Sequence, residues 1–337
     1  MPSITMTQVA KKAGVSQQVV SKVIHKKYDV NEKTRERVLK IIEELNYQPN
    51  YLASSLRSGK RMCIGTAVTG NMEDMVTLAP SAYCAGIGSV MEQHGYNMEL
   101  IPRRGDFHNK VVEIMRRRTV DGLIIVVYSD IYKKFIEETQ PLLNKEKFPY
   151  VVIHETDRAL ECHSVGIDTR RTGYLATRHM LTTGRTRVRM VLNTAIHSHT
   201  DAYQGYEMAL TEQGLGAADP IIPESKDPGA GYIAGKQAAD QGSEHGYIVF
   251  SEAVASGFLR GLREKGIHVP EETAVIACEN GLTERAFYTP LTVMDRKFLE
   301  RGRIAAEYLL RIMTDKPKPG SYLTHVAQPE LILRETA

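Results

Sequence analysis

Tryptophan is absent from the 337 residues, but a missing indole closes off no class of function. The cysteines exclude more. Cys63, Cys84, Cys162 and Cys278 are scattered, with no close pair to build a metal knuckle or a redox motif, so buried thiols are expected. No stretch approaches the roughly 18 apolar residues that a membrane span needs. Lys11 and Lys12 interrupt the N-terminal segment where a secretion signal would require an apolar core. A cytoplasmic chain with no membrane partner is the expectation. Charge of one sign is also scarce, since 43 Lys+Arg against 40 Asp+Glu leave only +3.

That near-neutral total conceals an uneven distribution. Residues 1–60 hold 11 Lys+Arg and 5 Asp+Glu, a net of +6, and the remaining 277 hold 32 and 35, a net of −3. A basic head suits a polyanion, because neutralising phosphates releases condensed counterions. A solvated basic face would give the same count, so charge alone does not decide.

The head carries a pattern that does. Thr5 and Gln8 have capping-box spacing, Gly14 ends a first short helix, and Ser16 is a good N-cap for a second. At about 100° per residue, Gln17, Gln18, Ser21 and Lys22 share one arc of that second helix, while Val19, Val20, Val23 and Ile24 fill the opposite arc. One face is built for burial, and the other offers amide, hydroxyl and ammonium groups at the reach of base edges. A helix-turn-helix reads the major groove in this way. A third helix is predicted from a cap at Asn31 to about Leu45, closing a small core with Val38, Ile41, Ile42 and Leu45. Pro49 bars its continuation. Between Asn50 and Gly59 lies a two-turn helix too short to persist alone in water. Leu52 and Leu56 share one of its faces beside Ala53, Ser54 and Ser55. Two such helices could press leucines into a minor groove, or the segment could be a plain linker.

From Cys63 onward, apolar runs alternate with helical stretches. Strands are predicted at 63–68, 97–101, 122–127, 150–153, 188–192, 246–249 and 273–277, and helices at 80–94, 109–117, 171–183, 202–213 and 252–265. Such alternation implies parallel sheets covered by helices. Seven strands suggest two βαβ subdomains, divided near the polar stretch at 155–165, with a small-molecule cleft beyond the carboxyl ends of the strands. His197-Ser198-His199 has no third ligand nearby, so no metal site is expected. Gly86-Ile87-Gly88 lies inside a predicted helix and Met91 replaces the third glycine, so no dinucleotide cofactor is expected. No catalytic arrangement has usable spacing.

Thr5 to Lys60 resembles the headpiece and hinge of the lac-repressor (LacI/GalR) family of bacterial transcription regulators. Val9-Ala10, Ala13-Gly14-Val15-Ser16, Val20-Ser21, Lys33-Thr34-Arg35, Leu45-Asn46-Tyr47 and Pro49-Asn50 carry the match, without gaps. The resemblance implies that Thr5, Ser16, Gln17, Gln18, Ser21, Lys22, Thr34 and Asn50 meet DNA, with Leu56 as the minor-groove wedge. Lys22 stands where the family usually has Arg, which trades bidentate guanine reading for a point charge. Val19 stands where Thr is common, so a phosphate contact is lost or becomes a thymine-methyl contact.

A weaker resemblance continues to the C-terminus, through Ala79-Pro80-Ser81, Val120-Asp121-Gly122-Leu123-Ile124, Asp168-Thr169, Gly205-Tyr206 and Pro290-Leu291-Thr292. It implies an α/β core of two periplasmic-binding-protein-like subdomains behind an all-α DNA-binding domain. The expected layout is a headpiece at 1–48, a hinge helix at 49–61 and a core at 62–337. Within that core the first subdomain would take 62–160 and 291–320, and the second 161–290 and 321–337. The effector pocket departs from the family pattern. Ala202 replaces an arginine, Ser251-Glu252 replaces Asn-Asp, and Glu279 takes an Asp position. By alignment, Tyr83, Arg103, His154, Ser198, Asp201, Ser251, Glu279 and Arg296 would line the cleft and suit a polar effector. Family frequency points to a sugar or sugar derivative. The function implied is a repressor, acting as a homodimer on a pseudo-palindromic operator. The rivals are a regulator whose cleft binds no effector and a sugar-modifying enzyme.

Overall fold

The computed structural model describes residues 4–24, 30–45, 47, 60–69, 78–102, 106–127, 133–156, 160–192, 197–242, 245–280, 290–315, 318 and 320–337. The chain divides into two compact units, Met1–Met62 and Cys63–Ala337.

In the first unit three helices are placed by local signals. Helix α1 (Met6–Ala13) begins at Thr5, whose hydroxyl accepts from the Gln8 N–H while the Gln8 side chain accepts from the Thr5 N–H at 2.8 Å. It ends where Gly14 turns left-handed at φ 63°, a conformation that costs a side-chain-bearing residue more. Ser16 Oγ then accepts from the Val19 N–H and starts α2 (Gln17–Ile24). Asn31 caps α3 (Glu32–Glu44) through the Lys33 N–H at 3.0 Å. Val9, Ala10, Ala13, Val20, Val23, Val38, Ile41 and Tyr47 form the shared core. The apolar arc of α2 is narrower than its sequence predicts, because Val19 and Ile24 stay partly exposed. Three short helices have too little surface to cover the whole arc.

The second unit is built on two sheets. Strands β1 (Cys63–Val68), β2 (Asn97–Pro102), β3 (Gly122–Val127), β4 (Tyr150–His154), β5 (Ser164–Ile167) and β10 (Thr324–Ala327) form one, in the order β10-β5-β4-β3-β1-β2, all parallel. Strands β6 (Val188–Val191), β7 (Gly246–Val249), β8 (Ala274–Ala277), β9 (Thr292–Asp295) and β11 (Glu330–Ile332) form the other, in the order β11-β9-β8-β7-β6, with β11 antiparallel to β9.

Alternate residues of each strand feed opposite layers, as the pleat requires. Ile124 and Val126 pack under α4 (Leu78–Gln93) and α11 (Phe298–Asp315), while Leu123 and Ile125 pack under α5 (Phe107–Arg117) and the π-helical turn Phe135–Thr139 that leads into α6 (Gln140–Lys145). The second sheet is likewise covered by α7 (Thr169–Thr182) and α8 (His197–Thr211) on one face and by α9 (Pro228–Asp240) and α10 (Glu252–Glu264) on the other.

The sheets correct the predicted subdomain boundaries. β5 belongs to the first sheet, so the first crossing falls at Asp168 and not within 155–165. β9 belongs to the second sheet, which moves the next crossing from about 290 to residues 296–297. β10 returns to the first sheet, so the last crossing lies at 328–329 and not near 320. Strands of three or four residues carry no period of their own, and their neighbours decide their place.

Helices α7 and α8 touch backbone to backbone. A Cβ on Gly205 would lie 1.8 Å from the Arg170 carbonyl oxygen, and one on Gly173 would lie 1.9 Å from that of Ala202. Gly205→Ala is therefore expected to lower stability by roughly 1–3 kcal/mol through overpacking. Gly88→Ala, in open space on α4, is expected to be neutral or to add up to about 1 kcal/mol. Urea unfolding of both variants checks the contrast.

Candidate functional sites in the head and the core

The first candidate site lies wholly in the head. Gln17 and Gln18 are exposed on α2, opposite buried Val20 and Val23, and Ser16 is exposed at its start. Ser21, Lys22 and Thr34 are partly exposed. The Thr5 hydroxyl serves the capping box, accepting from the Gln8 N–H and donating to Gln8 Oε1 at 3.1 Å. Gln17 Nε2 donates to Thr7 Oγ1 at 2.9 Å, a link between α1 and α2 that sequence reading did not anticipate. Asn50 and Leu56 lie outside the described residues.

The second candidate site lies beyond the carboxyl ends of the strands of both sheets, where ligands of open α/β folds bind. Its centre is Glu155, the residue after β4. Tyr83 on α4 donates its hydroxyl to Glu155 Oε1 at 2.7 Å, and Arg301 on α11 donates to the same oxygen at 3.1 Å. Arg296, at the crossing after β9, pairs with Glu155 Oε2. Arg301 also donates to the His154 carbonyl. Both guanidiniums lie over rings. Arg296 is 4.9 Å from the Phe250 centroid and 5.4 Å from that of Phe298, and Arg301 is 5.2 Å from that of Tyr83. The exposures of Arg296 and Arg301 are 4% and 0%, so these charges are removed from water and must be met by protein partners.

Burial alone would raise the Glu155 carboxyl, but the Arg296 and Arg301 charges, with hydrogen bonds from Tyr83 and Arg301, hold it at about 2. Glu279, after β8, shows the reverse balance. It accepts from the Glu252 N–H at 2.9 Å at the start of α10, where Ser251 makes no side-chain cap. Burial still raises its pKa against the opposing charge of Arg296 and that hydrogen bond, aided by the nearby charges of Glu252 and Glu155.

The aligned pocket residues meet different fates. Tyr83, Glu279 and Arg296 converge on this cluster, and Ser251 is partly exposed beside it. The His154 ring lies against β5, 2.5 Å from where a Gly166 Cβ would stand. Asp201 is buried on α8. Arg103 and the Ser198 side chain lie outside the described residues. Ala202 is fully buried against Ala176, Met180 and Tyr206, so that position contributes packing and no cation.

Glu155, Arg301 and Phe250 were absent from the aligned set. Arg301 had a findable signal, an arginine in helical register with Phe298, Ala305 and Leu309. The His199 ring sits 4.3 Å from that of Phe250, and a Cβ on Gly86 would lie 2.2 Å from the Leu299 carbonyl oxygen. Among the described residues no group of three His, Cys, Asp or Glu could hold a metal, and no helix is long and apolar enough to cross a membrane.

Glu155→Ala is expected to cost roughly 3–5 kcal/mol by stranding buried guanidiniums. The pH dependence follows from the signs. The Glu155 carboxyl, depressed in the fold, stabilises above an unfolded value of about 4.5 and loses that contribution as pH falls toward 2. Glu279, raised in the fold, favours the folded chain at low pH and loses that contribution as pH rises above the same unfolded value. Glu155→Gln should flatten the acid limb of a plot of stability against pH, and Glu279→Gln should raise stability toward neutral pH. Urea unfolding from pH 3 to 8 measures both.

Comparison with known proteins places each unit. Residues 5–50 match the model of bacterial regulatory proteins of the lacI family, and residues 177–337 match the periplasmic binding protein-like domain. The HTH-type transcriptional repressor PurR of Vibrio atlanticus (strain LGP32) is 28% identical over 343 residues, covering 98% of this chain and 98% of that one. The structure of a lac repressor dimer bound to operator and the anti-inducer ONPF superposes with a TM-score of 0.76 at 22% identity, covering 99% of both chains. A transcriptional regulator CelR–cellobiose complex superposes with a TM-score of 0.70 at 23% identity, covering 99% of this chain and 100% of that one. At such identities the structures speak for the fold.

Proposed function

The chain belongs to the lacI family of bacterial regulatory proteins, and from that premise we propose how its residues carry out DNA-binding transcription regulation under the control of a small effector. The observation that carries the reading is α2, with Gln17 and Gln18 exposed over the buried Val20 and Val23. Gln17, Gln18, Ser21 and Lys22 read base edges in the major groove, while Thr5, Ser16, Thr34 and Asn50 meet the backbone. Lys22 contributes a point charge and weak guanine selectivity. Leu56, in a hinge helix at 49–61, is the minor-groove wedge. The protein is a repressor that acts in the cytoplasm as a homodimer on a pseudo-palindromic operator, and it has no enzymatic step.

The effector occupies the cleft around Glu279, Ser251 and Arg296, with Tyr83, Arg103, His154, Ser198 and Asp201 contributing walls or support. A sugar or sugar derivative fits this polar lining, and the relative solved with cellobiose gives the class some support. Effector and operator affinities are then linked reciprocally. Calorimetry with sugars, nucleosides and carboxylates tests the cleft. Saturable binding that shifts operator affinity upholds the reading, and turnover of the ligand overturns it in favour of an enzyme.

For the head, Gln18→Ala is expected to cost roughly 1–3 kcal/mol on the operator selected from a random DNA pool and little on random DNA. An equal loss on both would remove Gln18 from base reading. Leu56→Ala is expected to reduce operator bending while dimerisation is unchanged. Fluorescence energy transfer between labelled DNA ends measures the bend.

A further inference from the structure

The link between Gln17 and Thr7 bears on how α2 selects its base. A glutamine side chain offers one acceptor and two donor hydrogens, and rotation about its last bond exchanges the two ends. A freely rotating amide at a DNA-facing position therefore presents either end to a base. In the structure the amide takes one of these orientations, with its nitrogen end turned to Thr7. Gln17 Nε2 donates to Thr7 Oγ1 at 2.9 Å, with both residues exposed and ten positions apart. The bond spans the left-handed turn at Gly14, so it joins two helices whose relation the core of Val9, Ala13, Val20 and Val23 also holds.

With one Nε2 hydrogen committed to Thr7, Gln17 keeps Oε1 as an acceptor and the second Nε2 hydrogen as a donor, in a set order. That pair complements the major-groove edge of adenine, whose N6 donates and whose N7 accepts. Guanine presents two acceptors on that edge, so an amide held in this orientation satisfies only one of them. Pre-set orientation also lowers the entropy lost on binding, because fewer rotamers are frozen at the interface.

We propose that Thr7 is a positioning residue for base recognition, holding the Gln17 amide so that this position of the operator is read as adenine. The proposal rests on the assignment of α2 as the DNA-reading helix. Thr7→Val removes the hydroxyl and keeps the β-branched shape, while Thr7→Ser keeps the hydroxyl.

The full-length protein is first given a random DNA pool, and the base pair whose preference Gln17→Ala flattens is identified. Affinities of all variants are then measured for the four bases at that pair. Thr7→Val is expected to reduce the preference for adenine there by about three- to tenfold, the loss of one aligned hydrogen bond. Thr7→Ser should retain the preference. Preference at other base pairs, affinity for random DNA and the melting temperature should be unchanged. In the Gln17→Ala background, Thr7→Val should have no further effect.

An equal loss of affinity for all four bases would overturn the proposal and make Thr7 a backbone contact. Full additivity of the two substitutions, or a preferred base other than adenine, would overturn it as well. A different failure marks the underlying reading. If the wild-type chain enriches no sequence, or Gln17→Ala flattens no base pair, the assignment of Gln17 as a base reader falls.

Discussion

One largely buried carboxylate, its side chain 10% exposed, organises the core. Glu155 receives the Tyr83 hydroxyl and both guanidiniums, Arg296 and Arg301, and so joins α4, the end of β4, α11 and the crossing segment after β9. Removing three charged groups from water is expensive, and the cost is met only when the partners converge with their hydrogen bonds made. The arrangement is therefore demanding about geometry. The segment at residues 296–297 passes between the sheets, and Arg296 ties it to the first sheet while Lys297 pairs with Asp295 and Glu330 on the second. Lys297 adopts φ 56°, a left-handed conformation uncommon for a residue with a side chain, and those ion pairs help hold it.

Glu279 gives this cluster a contrasting neighbour. It lies near the same Arg296, yet burial outweighs the attraction and its pKa moves up while that of Glu155 moves down. The difference is the number of committed donors. Glu155 has the Tyr83 hydroxyl and two guanidiniums, and Glu279 has the backbone N–H of Glu252.

The head was largely legible because its signals are local. Thr5, Gly14, Ser16 and Asn31 each act on backbone groups within a few residues, and the structure uses them as caps and stops at those positions. The core strand β3 was legible for another reason, since its continuous Leu-Ile-Ile-Val-Val run suits burial on both faces. β5, β9 and β10 were not, because four residues with Gly, Ser, Thr or Asp hold no pattern until parallel neighbours supply hydrogen bonds. The missed helix α11 hid Arg301, and with it the partner that makes Glu155 more than a polar residue after a strand. At Ala202 the departure from the family's arginine was legible, and only its burial was not. Alignment placed it at a ligand-gripping position, and packing against Met180 and Tyr206 made it part of the interior.

By itself the amino-acid sequence determined the class of the protein, a basic helix-turn-helix head on an acidic α/β body, because charge, caps and apolar period act over short distances. It also determined which side chains α2 leaves exposed opposite Val20 and Val23. Tertiary structure alone decided where the chain passes between the sheets, which carboxylate holds the buried arginines, and that Gln17 is tied to Thr7. Those outcomes depend on contacts between residues distant in the chain, such as Glu155 and Arg301, which are 146 positions apart. Desolvation and close packing act on residues that meet in space, and their adjacency exists only once the chain has folded.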